Sequence, residues 1–422
     1  MRKLYSSIRG TCDFSPLQAS SFYSITHRTR EIFRIFGYQE IILPLLEEAG
    51  VFIRGVGKNT DIVEKQLFGV ARRQGEAKSD VVLRPEGTAQ VVRYYLQNSL
   101  YKQSSFHKFF YIGPMFRGER PQKGRLRQFH HIGAEAIGSD SIYLDAELIS
   151  LALHILDEVG VAKKELRINT LGCSSDKEKF SKELQKIFAS KKGKLCQDCQ
   201  KRAALNPLRI LDCKQAQCRK LIESLHLGEA RVCAQCKRQF HDLLSLLSAL
   251  NIQYIYEPYL VRGLDYYTHS VFEITSKELG SQDALGAGGR YNSLIKELGG
   301  PDVAAAGFAL GIERILLALG ELKHPETIRA FIAVADSTLM PDALAILQKI
   351  RAKGISSEMD YCDRSLKAQL RYAQKLGARF VVIVGQEEAK DNCVTLKDME
   401  ESFQEKLSLD QAIAKIHNRG GN

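Results

Sequence analysis

The stretch between residues 109 and 138 limits the fold of this 422-residue chain more than any other part. Two apolar runs, 109–116 and 129–138, are predicted to form paired strands. The loop between them carries five cations in eleven residues, namely Arg117, Arg120, Lys123, Arg125 and Arg127. Like charges this close repel one another unless an anion lies between them, so the loop suits a polyphosphate or a nucleic-acid end. A solvated basic turn is the alternative interpretation of the loop taken alone.

The composition is that of a soluble globular protein with an anionic partner. Apolar residues make up 44% and charged residues 26% of the chain, and the net charge is +11. The first residues, MRKLYSSIRG, do not contain the apolar core of a signal peptide, and no apolar run is long enough to span a membrane. We therefore expect a cytoplasmic protein without a membrane partner, whose ten cysteines stay reduced.

The predicted elements indicate three kinds of structure along the chain. Helices are expected at 17–36, 145–159 and 290–298, and strands at 38–46 (interrupted by Pro44), 165–171 and 268–275. Short connections without regular βαβ alternation favour a mixed, largely antiparallel sheet. The expectation is an α+β domain in two parts, residues 1–175 and 251–325, with a helical Cys-rich insertion at 176–250. Residues 326–422 are expected to form a compact α/β domain, with strands at 331–335, 356–361 and 380–385 and helices at 341–352 and 365–376.

A nucleotide would have to bind here without a Walker loop, because the nearest match, residues 55–60, lacks the first glycine and the hydroxyl residue. Arginines offer another means. Arg117 begins the basic loop in FRGE, and Arg314 ends the small-residue run GFALGIER. A guanidinium in such a place can hold phosphate oxygens in a bidentate fork. For Arg314 alone, a surface ion pair is the competing interpretation.

Several motifs together resemble a known family. GYQEIILP, FRGE and GFALGIER are similar, in order and spacing, to the three signature motifs of class II aminoacyl-tRNA synthetases. RGTCDF (9–14), LRPEGT (83–88), ERPQKGRLRQFHHIGAE (119–135) and LVRGLDYYTHSVFEI (260–274) resemble the histidyl-tRNA synthetase family. The resemblance implies ATP-dependent ligation of L-histidine to tRNA(His) through a histidyl-adenylate, with release of AMP and pyrophosphate. It also implies a cytoplasmic homodimer in which residues 326–422 bind the anticodon stem.

The same resemblance implies how ATP is held. Arg117 and Arg262 become the catalytic residues on the α-phosphate, and Arg314 holds the γ-phosphate. Glu119 accepts a hydrogen bond from the adenine amino group, and Phe129 stacks on the ring. Mg²⁺ bridges the outgoing phosphates. Catalysis then comes from positioning and charge stabilisation, with little need for a protein base.

The implied amino-acid pocket complements an imidazole. Glu86 and Thr88 receive the ammonium group, while Glu135 and Tyr267 bracket the ring. A site made of such hydrogen bonds rejects apolar analogues strongly. The full histidine-binding set is Glu86, Gly87, Thr88, Arg117, His131, Glu135, Arg262, Tyr266 and Tyr267. For the two tyrosines, core packing at a strand end is the competing interpretation.

Two positions depart from the family pattern. His131 stands where a glutamine is usual, and Leu126 stands where a tyrosine is common. We expect protonation of His131 to make histidine affinity depend on pH near neutrality. In the same loop, Arg120, Gln122 and Arg127 are expected to contact the acceptor end of the tRNA.

The cysteines of the insertion have the spacing of metal ligands. Cys196 and Cys199 form one CxxC pair and Cys233 and Cys236 another. In a reducing compartment such pairs indicate zinc, so these four are predicted to form one Zn²⁺ site, with Cys213 and Cys218 as alternates. Buried thiols without metal are the alternative, since zinc is not general in this family. The scattered thiols, Cys12, Cys173, Cys362 and Cys393, are interpreted as structural.

Two other functions compete with the ligase. One is a catalytically inactive synthetase-like regulatory subunit of histidine biosynthesis, which is expected to lose the catalytic arginines and the C-terminal domain. This chain keeps Arg117, Arg262 and Arg314. The other is a zinc-bearing nucleic-acid-binding factor, which leaves LVRGLDYY and LRPEGT unexplained.

Overall fold

A computed structural model describes residues 5–57, 60–71, 80–225, 227, 231–280, 283–320, 328–401 and 403–418. The chain divides into two compact units, Met1–Leu322 and Lys323–Asn422. Within the described ranges, no helix combines the length and the apolar character that crossing a membrane requires.

The first unit begins with α1 (Pro16–Ile35), β1 (Gln39–Glu40), β2 (Leu46–Glu48), α2 (Ala49–Gly55), β3 (Phe68–Gly69), β4 (Val81–Leu83), α3 (Thr88–Gln97), β5 (His107–Phe116), β6 (Gln128–Ile137) and α4 (Ile142–Glu158). It continues with β7 (Glu165–Thr170), α5 (Ser174–Ser190), α6 (Gln197–Leu205), α7 (Ala216–Glu223), α8 (Ala234–Ala249), β8 (Ile255–Tyr256), β9 (Thr268–Thr275), β10 (Ala284–Arg290), α9 (Leu294–Glu297), β11 (Ala305–Gly311) and α10 (Ile312–Leu319).

An eight-stranded sheet organises this unit, in the order β1-β5-β6-β11-β10-β9-β7-β8. Only the two edge pairs, β1 with β5 and β7 with β8, are parallel. The β5–β6 hairpin pairs without interruption from His107 opposite Ile137 to Phe116 opposite Gln128. The prediction of a mixed, largely antiparallel sheet is thus confirmed, and the hairpin presents its basic loop at one end of the sheet.

Two predicted elements are shorter than expected. The strand at 38–46 splits into β1 and β2 around Pro44, because proline has no N–H to give to the ladder. The helix expected over 290–298 is only α9, since β10 runs as far as Arg290.

A buried charge pair fastens β10 to the helix behind the sheet. The Arg290 guanidinium donates to Asp145 on α4 at 2.7 Å and to the carbonyl oxygens of Ser139 and Ser141 at 2.8 and 2.6 Å. Ser270 on β9 donates to the same carboxylate. Because each member of this network has partners, the charges are tolerated in the interior.

The insertion is helical, as predicted. Helices α5 to α8 lie between β7 and β8 in the chain. Leu184 and Phe188 of α5 and Leu221 and Ile222 of α7 belong to the same core cluster as Tyr266 and residues of α3. Phe240 and Leu243 of α8 instead pack in the cluster that contains α4. The insertion therefore packs as a wall of the first unit.

The second unit contains β12 (Ala330–Val334), α11 (Met340–Arg351), β13 (Ser357–Met359), α12 (Leu366–Lys375), β14 (Phe380–Val384), α13 (Gln386–Lys390), β15 (Cys393–Asp398), β16 (Phe403–Ser408) and α14 (Leu409–Asn418). Its sheet has the order β13-β12-β14-β15-β16, with β13, β12 and β14 parallel. Ile332 packs with Leu347 of α11 and Ile416 of α14, whereas Phe331 packs with Ala373 of α12. Helices on both faces make this an α/β unit, as the sequence predicted.

Candidate active site

A cleft of about 920 Å³ lies on the face of the eight-stranded sheet opposite α4. Alternation along β6 explains which side chains reach it. Phe129 and His131 line the cleft, whereas Ile132 and Ala134 pack into the core that α4 covers. The cleft is large enough for an amino acid together with a nucleotide.

Ten of the predicted site residues line this single cleft: Glu86, Thr88, Arg117, Glu119, Phe129, His131, Arg262, Tyr266, Tyr267 and Arg314. Gly87 is the N-cap of α3, at the edge of the cleft. Glu135 is 1% exposed and is bonded to Thr88. The sequence therefore identified one connected set of residues, although they come from segments far apart in the chain.

Three arginines face one another across the cleft. Arg117, at the end of β5, donates to the carbonyl oxygen of Pro85 at 2.9 Å. Arg314, in the first turn of α10, donates to the carbonyl oxygens of Gly124 and Ala284 at 2.9 and 2.5 Å. Arg262 forms an ion pair with Glu273 on β9.

The pKa shifts of these arginines show that burial and mutual repulsion disfavour their charged forms. Burial lowers the pKa of Arg117, and the positive charge of Arg262 lowers it further. Burial also lowers the pKa of Arg314, followed by the charges of Arg117 and Arg125. For Arg262, burial works in the same direction, but Glu273 outweighs it and raises the pKa. The cleft thus stores cationic repulsion that a polyanion would relieve.

Glu86 is fixed by the start of α3. Its carboxylate accepts the backbone N–H of Thr88 at 2.7 Å and that of Ala89 at 2.9 Å. Burial raises the pKa of Glu86, while these two bonds oppose the rise. A carboxylate so placed can still receive an ammonium group from the cleft side.

Glu135 sits at the bottom of the cleft within a set of hydroxyl groups. It accepts from Thr88 Oγ1 at 2.6 Å, from Tyr291 at 2.5 Å and from Tyr111 at 3.3 Å. Burial raises the pKa of Glu135 to about 8, against the effect of the Thr88 and Tyr291 bonds. Tyr111 on β5 and Tyr291, the residue after β10, were not identified from the sequence. The signal available for Tyr111 was its place on β5, an even number of residues before Arg117.

Two glycines make room for this arrangement. A Cβ at Gly307, opposite Glu135 in the β6–β11 ladder, would lie 1.9 Å from a Glu135 carboxylate oxygen. A Cβ at Gly133 would lie 2.1 Å from the Tyr111 ring. The small-residue strand thus lets Glu135 and Tyr111 occupy the cleft floor.

Tyr266 and Tyr267 line the cleft and also pack in the core, so the two interpretations of this pair both apply. Their rings lie 4.7 Å apart between centroids. Burial raises the pKa of Tyr267 to about 12 and that of Tyr266 well above 10, so both hydroxyls stay protonated and can donate.

The expectation that His131 titrates near neutral pH is wrong. Burial lowers its pKa well below 6.5, and the charges of Arg117, Arg314 and Arg84 lower it further. The ring is therefore neutral at physiological pH. Its Nδ1 atom is buried and has no hydrogen-bond partner among the described residues, which leaves it available to a ligand.

The two residues predicted to hold adenine, Glu119 and Phe129, both line the cleft. The Arg117 guanidinium is 5.2 Å from the centre of the Phe129 ring. The Glu119 carboxylate forms an ion pair with Arg125. A nucleotide that binds Glu119 therefore has to displace Arg125, a partner that the sequence did not reveal.

The three loop residues predicted to contact tRNA differ in their surroundings, and none lines the cleft. Arg120 and Gln122 are exposed. Arg127 is half-buried and donates to the carbonyl oxygens of Glu119 and Arg9 at 3.2 and 3.3 Å. These bonds hold the loop against the N-terminal segment. The backbone N–H of Arg127, which donates to the carbonyl oxygen of Gly10 at 2.7 Å, has the same effect.

The predicted grouping of Cys196 and Cys199 with Cys233 and Cys236 is wrong, whereas the alternates Cys213 and Cys218 do join the first pair. The structure does not bring Cys196 and Cys199 to Cys233 and Cys236. Potential ligand atoms instead form two separate groups, Cys196 with Cys199, Cys213 and Cys218, and Cys173 with Asp176, Cys233 and Cys236. Spacing alone could not assign the pairs, and Cys173, interpreted as merely structural, belongs to the second group.

The fold and the cleft define a class of protein. A largely antiparallel sheet carries arginines from the FRGE, LVRG and GIER segments around one cleft, without a Walker loop. These features are those of a class II aminoacyl-tRNA synthetase.

Comparison with known proteins makes the assignment narrower. Residues 10–315 match the model of the histidyl-tRNA synthetase family, and residues 329–419 match that of an anticodon binding domain. The chain is 41% identical over 415 residues to the histidine–tRNA ligase of Pelotomaculum thermopropionicum, covering 97% of each. It is also 41% identical to that of Desulforamulus reducens over 415 residues, covering 97% of this chain and 98% of the relative. The chain belongs to the histidyl-tRNA synthetase family.

Solved structures agree with this assignment. The crystal structure of apo histidyl-tRNA synthetase from S. aureus superposes with a TM-score of 0.79 at 30% identity, covering 98% of this chain and 100% of that one. The histidyl-tRNA synthetase from Nostoc sp. gives 0.70 at 20% identity, covering 99% and 100%, which supports the fold.

The raised pKa of Glu135 leads to a pH prediction. An unfolded glutamate titrates near 4.3, whereas burial moves Glu135 to about 8. Between these values the folded protein holds a proton that the unfolded chain has lost, so the contribution to stability falls by about 1.4 kcal/mol per pH unit as pH rises. Below that window the contribution is complete.

Glu135→Gln should remove this pH-dependent contribution to the free energy of unfolding. We expect the melting temperature of the variant, relative to wild type, to increase steadily from pH 5 to pH 8 in differential scanning calorimetry. Glu64→Gln, the same change at an exposed position, should give a constant difference. Parallel pH profiles for wild type and Glu135→Gln would contradict the assignment.

Proposed function

We propose that this protein ligates L-histidine to tRNA(His) at the expense of ATP, through a histidyl-adenylate. One observation carries the proposal. Arg117, Arg262 and Arg314 line the same cleft as Thr88, which is hydrogen-bonded to the buried Glu135. Cations gathered in this way suit a triphosphate, and a carboxyl group with tyrosines beside it suits an imidazole. The cleft thus combines the two ligands that the reaction has to join.

In the first step the histidine carboxylate attacks the α-phosphorus of ATP. A carboxyl oxygen–phosphorus bond forms, the bond to the β-phosphate oxygen breaks, and pyrophosphate leaves in line. Arg117 and Arg262 stabilise the charge on the α-phosphate, and Arg314 holds the γ-phosphate. No protein base is needed, since the nucleophile is already ionised, and the barrier falls through positioning and electrostatics.

The amino acid is held by groups on the cleft floor. Glu86 and Thr88, with the backbone of Gly87, receive the ammonium group. Glu135 and Tyr267 bracket the imidazole, and Tyr266 packs beside it. The neutral His131 offers its unpartnered Nδ1 to the substrate. Because buried polar groups are left unpaired by an apolar analogue, the pocket discriminates strongly.

The nucleotide end uses Glu119 for the adenine amino group and Phe129 for the ring. Mg²⁺ bound with ATP would neutralise charge on the phosphates. Of the cleft carboxylates, Glu273 fits that ion because it lies beside Arg262 and Arg314, whereas Glu119 is used by the adenine amino group. Glu273 also orients Arg262 through their ion pair.

In the second step the terminal ribose hydroxyl of the tRNA attacks the histidyl carbonyl carbon, and AMP leaves. The exposed Arg120 and Gln122 are the acceptor-end contacts, while Arg127 braces the loop. The second unit, which matches an anticodon binding domain, supplies the anticodon contacts. Cytoplasmic tRNA is the substrate.

The protein acts as a homodimer through the first signature motif. In that segment Ile42 is 95% exposed, and Leu45 and Leu46 are 43% and 52% exposed. Apolar side chains clustered so openly beside an edge strand favour burial against a second copy of the chain. A structural Zn²⁺ ion in the insertion, at the thiolates of Cys196, Cys199, Cys213 and Cys218, completes the proposal.

A regulatory subunit without catalysis is the second candidate. One structural neighbour, from Bacillus halodurans, is described as an ATP phosphoribosyltransferase regulatory subunit/histidyl-tRNA synthetase, at 21% identity. That likeness concerns the fold. The complete set of cleft arginines and the second unit favour the ligase.

Histidine-dependent exchange of pyrophosphate into ATP tests the ligase directly. We expect exchange with histidine and none without it, and a 10²- to 10³-fold lower kcat in Arg262→Ala, about the effect of removing one transition-state donor. The exposed Arg371→Ala in the second unit should match wild type. Folded wild-type protein that shows no histidine-dependent exchange would favour the regulatory subunit.

Arg120→Ala should separate the two steps. The side chain lies outside the cleft, so pyrophosphate exchange should stay at the wild-type rate, while kcat/KM for tRNA charging falls about tenfold through the lost phosphate contact. Lys102→Ala, also an exposed cation, serves as the control in aminoacylation assays. Equal loss of exchange and charging in Arg120→Ala would contradict the role in tRNA binding.

A further inference from the structure

We propose that the chain binds a second Zn²⁺ ion, held by Cys173, Asp176, Cys233 and Cys236, where the N-termini of α5 and α8 meet. The ligand atoms of these residues lie within 4.8 Å of one another. Three sulfurs and one carboxylate oxygen form an accepted tetrahedral zinc set. The site is separate from the thiolate cluster inside the insertion.

Both groups share one local structure. Cys173, Cys196 and Cys233 are the N-caps of α5, α6 and α8, and Asp176, Cys199 and Cys236 are the third residues of those helices. Helix N-termini present backbone N–H groups and positive dipole ends to anionic ligands. The second site therefore uses a Cys-x-x-Asp and a Cys-x-x-Cys in the positions that two Cys-x-x-Cys pairs would occupy.

Distances in the first group are those of a tetrahedral site. Zn–S bonds of about 2.3 Å place sulfurs about 3.8 Å apart. Cys196 and Cys213 have their sulfurs 3.9 Å apart, and the sulfur of Cys218 accepts the Cys196 N–H at 3.2 Å. These two sulfurs are too far apart for a disulfide bond. A disulfide therefore does not explain why the reduced thiols lie close together.

Neighbouring groups support an anionic ligand set at the second site. One oxygen of Asp176 accepts the N–H of Cys233 at 3.1 Å and that of Cys173 at 3.3 Å, which leaves its other oxygen for a metal. The His269 ring nitrogen Nδ1 is 3.8 Å from the Cys236 sulfur. In metal sites, neighbouring groups that form hydrogen bonds with the ligating residues orient those residues.

The second ion would hold the cleft as well as the insertion. Residue Lys177, next to Asp176, donates to the carbonyl oxygens of Tyr267, at 3.0 Å, and Asp265. On the other side of the insertion, Asn206 donates to Asp265 at 2.7 Å. The two metal sites thus brace the LVRGLDYY segment from α5 and from the α6–α7 region. Metal binding at either site would add to the folding free energy of the insertion.

Zinc analysis of the full-length protein tests the proposal. The protein is purified from zinc-supplemented cells, dialysed against metal-free buffer and measured by inductively coupled plasma mass spectrometry. We expect two ions per chain in wild type and in Cys393→Ser, whose thiol lies outside both groups. Cys236→Ser and Cys199→Ser should each retain one ion, and the double variant none.

Asp176→Asn is a second variant of the same site, used because a cysteine variant that fails to fold would lose zinc for that reason alone. Asparagine keeps the acceptor for the Cys173 and Cys233 N–H groups but removes the carboxylate charge. We expect normal circular dichroism and loss of the second ion at lower concentrations of a competing chelator than in wild type. Cys236→Ser and Asp176→Asn that retain as much zinc as wild type and Cys393→Ser would overturn the second site. A wild type with one ion that Cys236→Ser loses would instead remove the site at Cys196, Cys199, Cys213 and Cys218.

Discussion

The rest of the site depends on the burial of three guanidinium groups beside one cleft. Burial lowers the pKa of Arg117 and Arg314, and each feels the charge of its neighbours. Only Arg262 has a carboxylate partner, Glu273, among the cleft contacts described here. The fold tolerates this arrangement because backbone carbonyls accept from Arg117 and Arg314. A polyanion that binds among these cations relieves their repulsion, and this relief adds to its binding energy.

The architecture was predictable where local pattern and global fold agree. The paired apolar runs became β5 and β6, and the small-residue run became β11, whose glycine at 307 admits Glu135. The strand at 38–46 was overestimated because Pro44 ends the ladder locally. In the second unit the strands and helices up to β14 were predicted, but β15, β16 and α14 were not. Unlike β14, the strands β15 and β16 have no continuous apolar run.

The site was predictable as a set of residues but not as a set of contacts. Motif residues such as Arg262 and Glu135 were identified in the sequence, but their contacts were not. Their partners are Glu273 on β9, Tyr111 on β5 and Tyr291, the residue after β10. Burial, which sequence does not give, reverses the expectation for His131 by making it neutral. Cysteine spacing indicated metal ligands, but which pairs meet depends on the path of the helices.

Calorimetry of Arg117→Gln tests the stored repulsion most directly. Without ligand, the variant should melt at the same temperature as wild type or higher, because one buried charge is gone and glutamine can still donate to the Pro85 carbonyl. Mg²⁺ and ATP should raise the melting temperature of wild type but not of the variant. A variant that melts several degrees lower when empty, yet gains as much from ATP as wild type, would contradict the account.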